Sequence, residues 1–471
     1  MERTIEIPES TRSIPERNAG DGSDVLMGKT ARTLVSFLML AILPYLVPGL
    51  GRYRILPAST LLQTNAKEIV PESVSPSREQ ESIKPETEAT PGEIEDPSGH
   101  ALENFFNALQ ATETTEAQTV ICHYGDSPIT NDGITSTVRR RLQLRFGDAG
   151  HGFVLAARPW PWYQHAGVYH EAASSWNRDP MFISKGDHLF GLGGASFTAD
   201  SKSAAATFAT AEDGEVGRRI SNFDIYFLAQ PGGGDFEIDV DGVRNDRVST
   251  NNDVVKSAFH EVRVPDGPHR MTFKPAGNGE VRVFGVALQS GFRGVQYDSL
   301  GVNGAFIGLL AHYLDEQHWA EQLRHRRPSL VIIGYGANES QFERLPMDQY
   351  EKDTLEVIRR VRSALPAVSL LFLGPMDRGE RGAGGKVVTR PMIRKLIAYQ
   401  RRLAAENGCA FFDTFTAMGG EGTAAKWLEA RPRLMGGDFT HPTAQGAEVV
   451  GTLIYDAMMR AYEHYKERRQ H

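Results

Sequence analysis

The feature that most constrains the fold is an alternation of strand-like and helix-like segments, which a long stretch of different periodicity interrupts. Short apolar segments are followed by segments with apolar residues at helical spacing. The apolar segments are TVICHYGDS, SLVIIGYG, SLLFLGPM and CAFFDTF, and the helical ones include ITSTVRRRLQLRF and residues 348–365, 390–407 and 443–469. Strands that alternate with helices predict a parallel sheet covered by helices on both faces.

The interrupting stretch has a period of two. Between Trp176 and Gln289 apolar residues alternate with polar ones, as in Phe223-Ile225-Phe227, and turns such as PGGGD and AGNG separate the runs. Several short strands without helices between them are typical of a β-sandwich or jelly roll. The sequence therefore predicts an α/β domain in two parts, residues 101–172 and 294–467, with an inserted β-sandwich domain at 176–290.

The N-terminal hundred residues differ from the rest. Residues 31–52 predict a transmembrane anchor or a signal segment, because the run from Leu34 to Leu50 carries no charge and basic residues precede it. An anchor would leave the remainder facing the periplasm or cell exterior, and a cleaved signal segment would release it as a secreted protein. A third interpretation is that this uncharged run forms a buried helix. The polar residues 1–30 and the Pro/Glu/Ser/Thr-rich linker at 64–100 are predicted to be disordered.

Composition excludes several classes of function. The chain has 51 Lys and Arg against 59 Asp and Glu, a net charge of -8, which argues against a nucleic-acid partner. Its two cysteines, Cys122 and Cys409, exclude a disulfide framework and a cysteine-based zinc site. Both lie on apolar strands, so we expect buried free thiols. The histidines lack the spacing of metal ligands, and no metal or other cofactor is expected.

Two sequence blocks contain residues suited to nucleophilic catalysis. Ser127 lies in a Gly-Asp-Ser turn between a strand and a helix, at the strand end where ligands bind in open α/β sheets. Asp438 and His441 share one loop, so the carboxylate can hold Nδ1 of the imidazole and leave Nε2 free to take a proton. Taken singly, Ser127 could be a helix N-cap and the Asp-x-x-His loop a cap of the last helix.

Two further blocks offer candidate donors for an oxyanion. Asn338 in GANES follows a strand, and its side-chain amide could donate to an oxyanion, although asparagine also simply tolerates turns. Gly304 in SLGVNGA could offer a backbone N–H without an obstructing side chain.

The four blocks occur in the order Ser, Gly, Asn, Asp-x-x-His, and this pattern resembles the SGNH/GDSL hydrolase superfamily. The resemblance implies a flavodoxin-like, three-layer α/β/α fold with no cofactor. It also implies that Ser127 is the nucleophile, His441 the base and Asp438 the residue that orients the base. The implied oxyanion hole consists of the N–H groups of Ser127 and Gly304 and the side chain of Asn338.

A narrower resemblance is to bacterial peptidoglycan O-acetylesterases. It rests on HYGDS, RRRLQLRFGDAGHGFV, the interrupting β-domain, GVNGA and GANES. It implies an inserted jelly-roll carbohydrate-binding module and a substrate that is an acetylated glycan. Pro128 departs from the pattern, since such proteins commonly carry a polar residue there. An O-acetyltransferase with the same triad and a non-catalytic glycan-binding envelope protein are the alternatives.

Two groups of residues outside the four blocks also carry rings or charge. Trp160, Trp162 and His165 in RPWPWYQH could contact sugar rings, or could pack a proline-rich loop. The run Arg139-Arg140-Arg141 lies on a helix and is expected to form a solvated face.

Overall fold

A computed structural model describes residues 92–183 and 186–470. The predicted tail at 1–30, the predicted membrane segment at 31–52 and most of the predicted linker lie outside these ranges. In the part of the chain that is described, no helix combines the length and apolar character needed to cross a membrane.

The strands of the described residues are labelled in chain order. They are β1 (Ile94–Glu95), β2 (Gln118–Gly125), β3 (Gly152–Leu155), β4 (Val168–Ala172), β5 (Asn177–Pro180), β6 (Ala195–Ala199), β7 (Ala206–Thr210), β8 (Ile220–Ala229), β9 (Asp235–Val240), β10 (Val243–Ser249), β11 (Lys256–Gly267), β12 (Arg270–Pro275), β13 (Val281–Gln289), β14 (Gly294–Gly301), β15 (Leu330–Gly334), β16 (Ser369–Leu373), β17 (Gly379–Arg381), β18 (Val387–Thr389) and β19 (Ala410–Phe412).

The helices are labelled in the same way. They are α1 (Glu103–Thr114), α2 (Ser127–Thr130), α3 (Gly133–Phe146), α4 (Ile307–His312), α5 (Glu316–Arg326), α6 (Met347–Ala364), α7 (Pro391–Glu406), α8 (Thr414–Ala417), α9 (Thr423–Glu429) and α10 (Ala444–Gln470). Two short 3₁₀ turns cover Glu339–Gln341 and Ala383–Gly385.

The central sheet has the order β1-β19-β16-β15-β2-β14, and all its strands except β1 are parallel. Its apolar strands are buried on both faces. On β15, Ile332 packs against the helices α1, α3 and α10, whereas Val331 and Ile333 pack in the core that contains α5, α6 and α7. Alternate side chains of one strand thus enter two separate helical layers. The α/β/α architecture predicted from the sequence is confirmed.

The edge strand β1 falls inside the segment predicted to be a disordered linker. Ile94 pairs with Phe412, and the Glu95 carboxylate accepts hydrogen bonds from Arg401. The Asp96 carboxylate caps the following turn through the N–H groups of Gly99 and Ala101. The predicted linker therefore extends too far toward the C-terminus. The pairing of β1 with β19 orders this segment, and such pairing cannot be read from amino-acid composition.

The interrupting stretch forms two antiparallel sheets. One has the order β10-β9-β12-β7-β4 and the other β11-β8-β13-β6-β5, with β3 also paired to β13. They pack through apolar side chains, and the rings of Phe227 on β8 and Phe236 on β9 lie 5.4 Å apart. Alternation along β9 buries Phe236, Ile238 and Val240, as the period of two requires.

The antiparallel sheets begin earlier in the chain than predicted. Strands β3 and β4 fall within residues 101–172, the predicted first part of the α/β domain, yet both join the antiparallel sheets. These strands have four and five residues, too few to display a clear period. The partner of β3 lies more than a hundred residues away in the chain, and the partner of β4 lies about forty residues away. No local sequence pattern specifies such pairings.

A buried ion pair lies where the parallel and antiparallel strands meet. Arg326 on α5 donates two hydrogen bonds of 2.8 Å to Asp298 on β14. Asp298 also accepts the backbone N–H of Phe153 on β3 at 2.7 Å. One carboxylate thus connects a helix, the central sheet and the antiparallel strands.

Candidate active site

Three loops meet at the carboxyl edge of the central sheet. Strand β2 lies between β14 and β15, and Gly125 at its end pairs with Gly301 on one side and Gly334 on the other. The segments that follow these strands therefore start at the same level. They carry Ser127, Gly304 and Asn338, three of the residues singled out from the sequence.

Ser127 begins the short helix α2 directly after β2. The helix is pressed against β14, because a Cβ atom on Gly301 would lie 2.4 Å from the backbone nitrogen of Thr130. Only a residue without a side chain leaves room for this approach. Ser127 is buried, with an exposed fraction of 8%, and Pro128 occupies a first-turn position where its missing N–H costs no hydrogen bond.

Ser127, His441 and Asp438 form a hydrogen-bonded chain, although 314 residues separate the serine from the histidine. Ser127 Oγ lies 2.7 Å from His441 Nε2, and His441 Nδ1 lies 2.6 Å from Asp438 Oδ2. The carboxylate can thus hold the Nδ1 proton while Nε2 accepts the proton of the hydroxyl. This arrangement can activate the hydroxyl as a nucleophile.

Asp438 remains ionised because of its hydrogen bonds. Partial burial would raise the pKa of Asp438, but hydrogen bonds from the His441 side chain and from the backbone N–H groups of His441 and Thr440 outweigh burial and lower that pKa. The loop closes on itself through the N–H of Gly436, which donates to the His441 carbonyl at 2.8 Å. The carboxylate and imidazole are therefore held together by side-chain and main-chain contacts.

One hydrogen bond joins the loops that carry the two remaining candidate donors, Asn338 and Gly304. Asn338 Nδ2 donates to the carbonyl of Ala305 at 2.8 Å, which ties the loop after β15 to the loop that carries Gly304. An amide nitrogen has two N–H groups, and within the described ranges the second has no hydrogen-bond acceptor. Gly304 has φ of 72°, a conformation that favours glycine, and a Cβ there would lie 3.3 Å from the ring of Phe182.

The candidate sugar-contacting residues divide between the core and the surface. Trp160 is buried, and His165 is occupied by a 2.9 Å hydrogen bond to His151. Burial lowers the pKa of His165 to about 4, which keeps the imidazole neutral. The packing interpretation therefore fits Trp160 and His165. Trp162 is half exposed and is available to a ligand.

The arginine run on α3 is not wholly solvated as expected. Arg139 is buried, with an exposed fraction of 3%, and both of its terminal nitrogens donate to Asp132, which follows α2. A buried partner was not visible in the sequence because Asp132 lies in an irregular turn. Donor atoms of Asp132, His151 and His165 lie within 4.8 Å of one another. Arg139 already pairs with the Asp132 carboxylate, and its positive charge opposes the binding of a cation by these three residues.

Asp126 and Glu339 carry two buried carboxyl groups, and each directly adjoins a candidate site residue in the chain. The sequence analysis did not identify either of them as a candidate. Burial raises the pKa of Asp126 to about 8, with a further contribution from Glu339, while Arg378 opposes the rise. Burial likewise raises the pKa of Glu339 to about 7. Their positions next to Ser127 and Asn338 in the sequence were the one feature that could have pointed to them. Both cysteines are buried free thiols, which confirms that prediction.

The chain is similar to known proteins in part of its sequence and in its fold. Residues 266–449 match the model of the GDSL-like lipase/acylhydrolase family, a range that contains Gly304, Asn338, Asp438 and His441. No curated protein sequence matches the chain.

Two solved structures match the chain with very different strength. One, described as "Peptidoglycan O-acetylesterase in action, 5 min", is 23% identical with a TM-score of 0.67, over 79% of this chain and 99% of that chain. A family two carbohydrate esterase from Clostridium thermocellum in complex with cellohexaose is 11% identical with a TM-score of 0.28, over 62% of this chain and 98% of that one. The second likeness is too weak to support an argument. The chain therefore contains a segment, residues 266–449, that matches the GDSL-like lipase/acylhydrolase family, within a fold similar to that of the first of these structures.

Proposed function

We propose that the protein is a serine esterase that removes acyl groups, in particular O-acetyl groups, from a cell-envelope carbohydrate such as peptidoglycan. The observation that carries the proposal is the continuous chain of contacts from Ser127 Oγ through His441 to Asp438, at 2.7 and 2.6 Å. The peptidoglycan part comes from the solved relative of similar fold, whose printed name states that activity.

In the proposed reaction, His441 Nε2 removes the hydroxyl proton while Ser127 Oγ attacks the ester carbonyl carbon. Asp438 stabilises the imidazolium that forms. The N–H groups of Ser127 and Gly304 and the free amide N–H of Asn338 donate to the tetrahedral oxyanion. His441 then protonates the sugar oxygen as its bond to the acyl carbon breaks. Water, deprotonated by the same imidazole, hydrolyses the acyl-serine and releases the carboxylic acid.

The direct test compares the wild-type protein with Ser127→Ala on p-nitrophenyl acetate and on acetylated peptidoglycan. We expect the substitution to reduce kcat by at least about a thousandfold, because it removes the hydroxyl that forms the acyl intermediate. A serine-reactive phosphonate should label the wild-type protein at Ser127 and leave the variant unlabelled. Equal activity in the variant would refute the proposal, and an unlabelled wild-type protein without activity would favour a glycan-binding role.

Transfer to a sugar acceptor would use the same acyl-serine. Adding an unacetylated glycan to the assay separates the two outcomes: hydrolysis releases one acetate for each ester lost, whereas transfer leaves acetate on the acceptor.

The location of the enzyme is also a proposal. We infer that residues 31–52 anchor it to a membrane, with the catalytic residues facing the periplasm or cell exterior, from the uncharged run that basic residues precede. The full chain should fractionate with membranes, and deletion of Leu34–Leu50 should release it. N-terminal sequencing of the mature protein distinguishes an anchor from a cleaved signal segment.

A further inference from the structure

We propose that Arg378 and Arg390, at the base of the β17–β18 hairpin, form a site beside Ser127 that binds a carboxylate of the substrate glycan. The inference rests on the proposed function and narrows its substrate class to esters of carboxylate-bearing glycans.

Arg378 is a half-buried cation that has no carboxylate hydrogen-bond partner among the described residues. Within the described ranges its guanidinium has one hydrogen-bond acceptor, the carbonyl of Ala337, and its Nε is buried without any acceptor. Half-buried charges in proteins are usually paired, because removal from water is costly. Arg378 therefore has unused hydrogen-bonding capacity, and no carboxylate of the described residues forms a hydrogen bond with it.

Arg378 lies close to segments that carry the proposed catalytic residues. Its acceptor, Ala337, directly precedes Asn338. Burial and the charge of Arg390 lower the pKa of Arg378, whereas the carboxylates of Asp126 and Asp438 raise it. Asp126 precedes Ser127, and Asp438 binds His441. The guanidinium thus lies within electrostatic reach of residues on both sides of the nucleophile.

Arg390 places a second cation next to the first. Its backbone N–H donates to the Arg378 carbonyl at 2.9 Å, and its Nε is also buried without an acceptor. In the part of the chain that the structure describes, its one carboxylate contact is Glu380, at 3.3 Å from Nη1. Two like charges held this close repel each other, and a bound anion would relieve that repulsion.

The hairpin fixes both arginines relative to the catalytic loop. Gly379 pairs with Thr389 at the base of the hairpin, which sets residues 378 and 390 side by side. The N–H of Gly379 also donates to the carbonyl of Phe439, the residue after Asp438, at 2.8 Å. Exposed Arg381 and Lys386 extend the positive surface outward along the hairpin.

In an esterified glycan, the anionic group that best fits these two arginines is a carboxylate. A guanidinium presents parallel N–H groups that match the two oxygens of a carboxylate. In a glycan the carboxylate could belong to a uronate sugar or to an attached peptide. The shared requirement is a fixed negative charge near the ester, so a neutral acetylated glycan should be the poorer substrate.

The test measures kcat/KM for four acetylated substrates: peptidoglycan fragments with free peptide carboxylates, the same fragments after amidation, polygalacturonate and xylan. The wild-type protein should prefer a carboxylate-bearing substrate to its neutral counterpart by about tenfold at low salt, and the preference should shrink as salt screens it. Preference for the peptidoglycan fragments alone assigns the carboxylate to the peptide, and preference for polygalacturonate alone assigns it to the sugar. Either result supports the proposal.

Variants separate binding from folding. Arg390→Gln and Arg378→Gln should each lower the ratio of charged to neutral kcat/KM by several-fold to tenfold, whatever they do to the absolute rates. Arg394→Gln, an exposed arginine of α7 paired with Glu421 at 3.0 Å, is the matched control and should keep the wild-type ratio. A wild-type protein without carboxylate preference, or an unchanged ratio in Arg390→Gln, overturns the inference. Activity that survives in Ser127→Ala would instead overturn the proposed function.

Discussion

At the scale of single residues, Asp438 determines which way the His441 ring faces. Its carboxylate holds Nδ1 at 2.6 Å and so presents Nε2 to Ser127. Without that carboxylate the imidazole can adopt the wrong tautomer or rotate away, and it loses the charge that stabilises its protonated form.

We therefore expect Asp438→Asn to lower kcat on p-nitrophenyl acetate by about a hundredfold or more, with little change in the melting temperature. The matched control is Thr440→Ala on the same loop, which keeps the backbone N–H that donates to Asp438. A kcat for Asp438→Asn within a few-fold of the wild type would contradict this role.

Glu339 gives a prediction about pH and stability. Burial raises the pKa of Glu339 to about 7, while an unfolded glutamate has a pKa of about 4.3. Between these values the folded protein binds a proton that the unfolded chain has released. The free energy of unfolding therefore falls as pH rises from about 4.3 to about 7.

Glu339→Gln should reduce this fall by on the order of 1 kcal/mol or more, because the neutral amide can still accept the N–H of Ile307 without titrating. Urea melts at pH 5 and pH 7.5 measure the effect. Glu343→Gln, an exposed neighbour, is the control and should leave the pH dependence as in the wild type. A stability of Glu339→Gln that drops as steeply as the wild type over this range would show that the group does not titrate there.

At the scale of elements, the short helix α2 depends on the strand beside it. The four-residue helix cannot be stable by itself, since isolated short helices are marginal. The strands β2 and β14 end in glycines that let the helix pack directly against them. The place of Ser127 is thus determined by a close approach of two backbones.

Gly301→Ala should therefore displace α2, because its Cβ would lie 2.4 Å from the Thr130 nitrogen. We expect a loss of about 1–3 kcal/mol of stability and a kcat lowered by at least about tenfold. Gly267→Ala is the control, since a Cβ there meets its nearest atom at 3.7 Å. Wild-type kinetics in Gly301→Ala would mean that the helix can shift without moving the hydroxyl.

At the scale of the whole molecule, the buried pair of Arg326 and Asp298 couples the parallel and antiparallel parts. Both side chains are almost fully buried, with exposed fractions of 1% and 0%. Removal of one partner would leave a charge in the core without its counterion, which is more costly than a cavity alone.

Arg326→Met should lower the free energy of unfolding by about 3–5 kcal/mol, measured by urea denaturation followed by both fluorescence and circular dichroism. Arg324→Met, at an exposed position of the same helix, should change it little. If Arg326→Met proved as stable as the control, the ion pair would not support the junction.

Local sequence patterns specified much of the fold and part of the site. Apolar runs and helical periods predicted the parallel sheet because each depends only on spacing within one segment. The contact between Asp438 and His441 could also be anticipated, since three residues on one loop keep the two side chains within reach. The order of the four blocks placed Ser127, Gly304 and Asn338 on loops that the sheet brings to one edge.

Only the tertiary structure decided what depends on distant partners. The pairing of β1 with β19, the assignment of β3 and β4 to the antiparallel sheets and the burial of Arg139 against Asp132 have no local signature. The same holds for the guanidinium of Arg378, which forms no ion pair within the described ranges and which a sequence cannot distinguish from a solvated arginine. Spacing along a chain determines which face a side chain occupies, whereas its burial and charge environment come from residues that folding brings beside it.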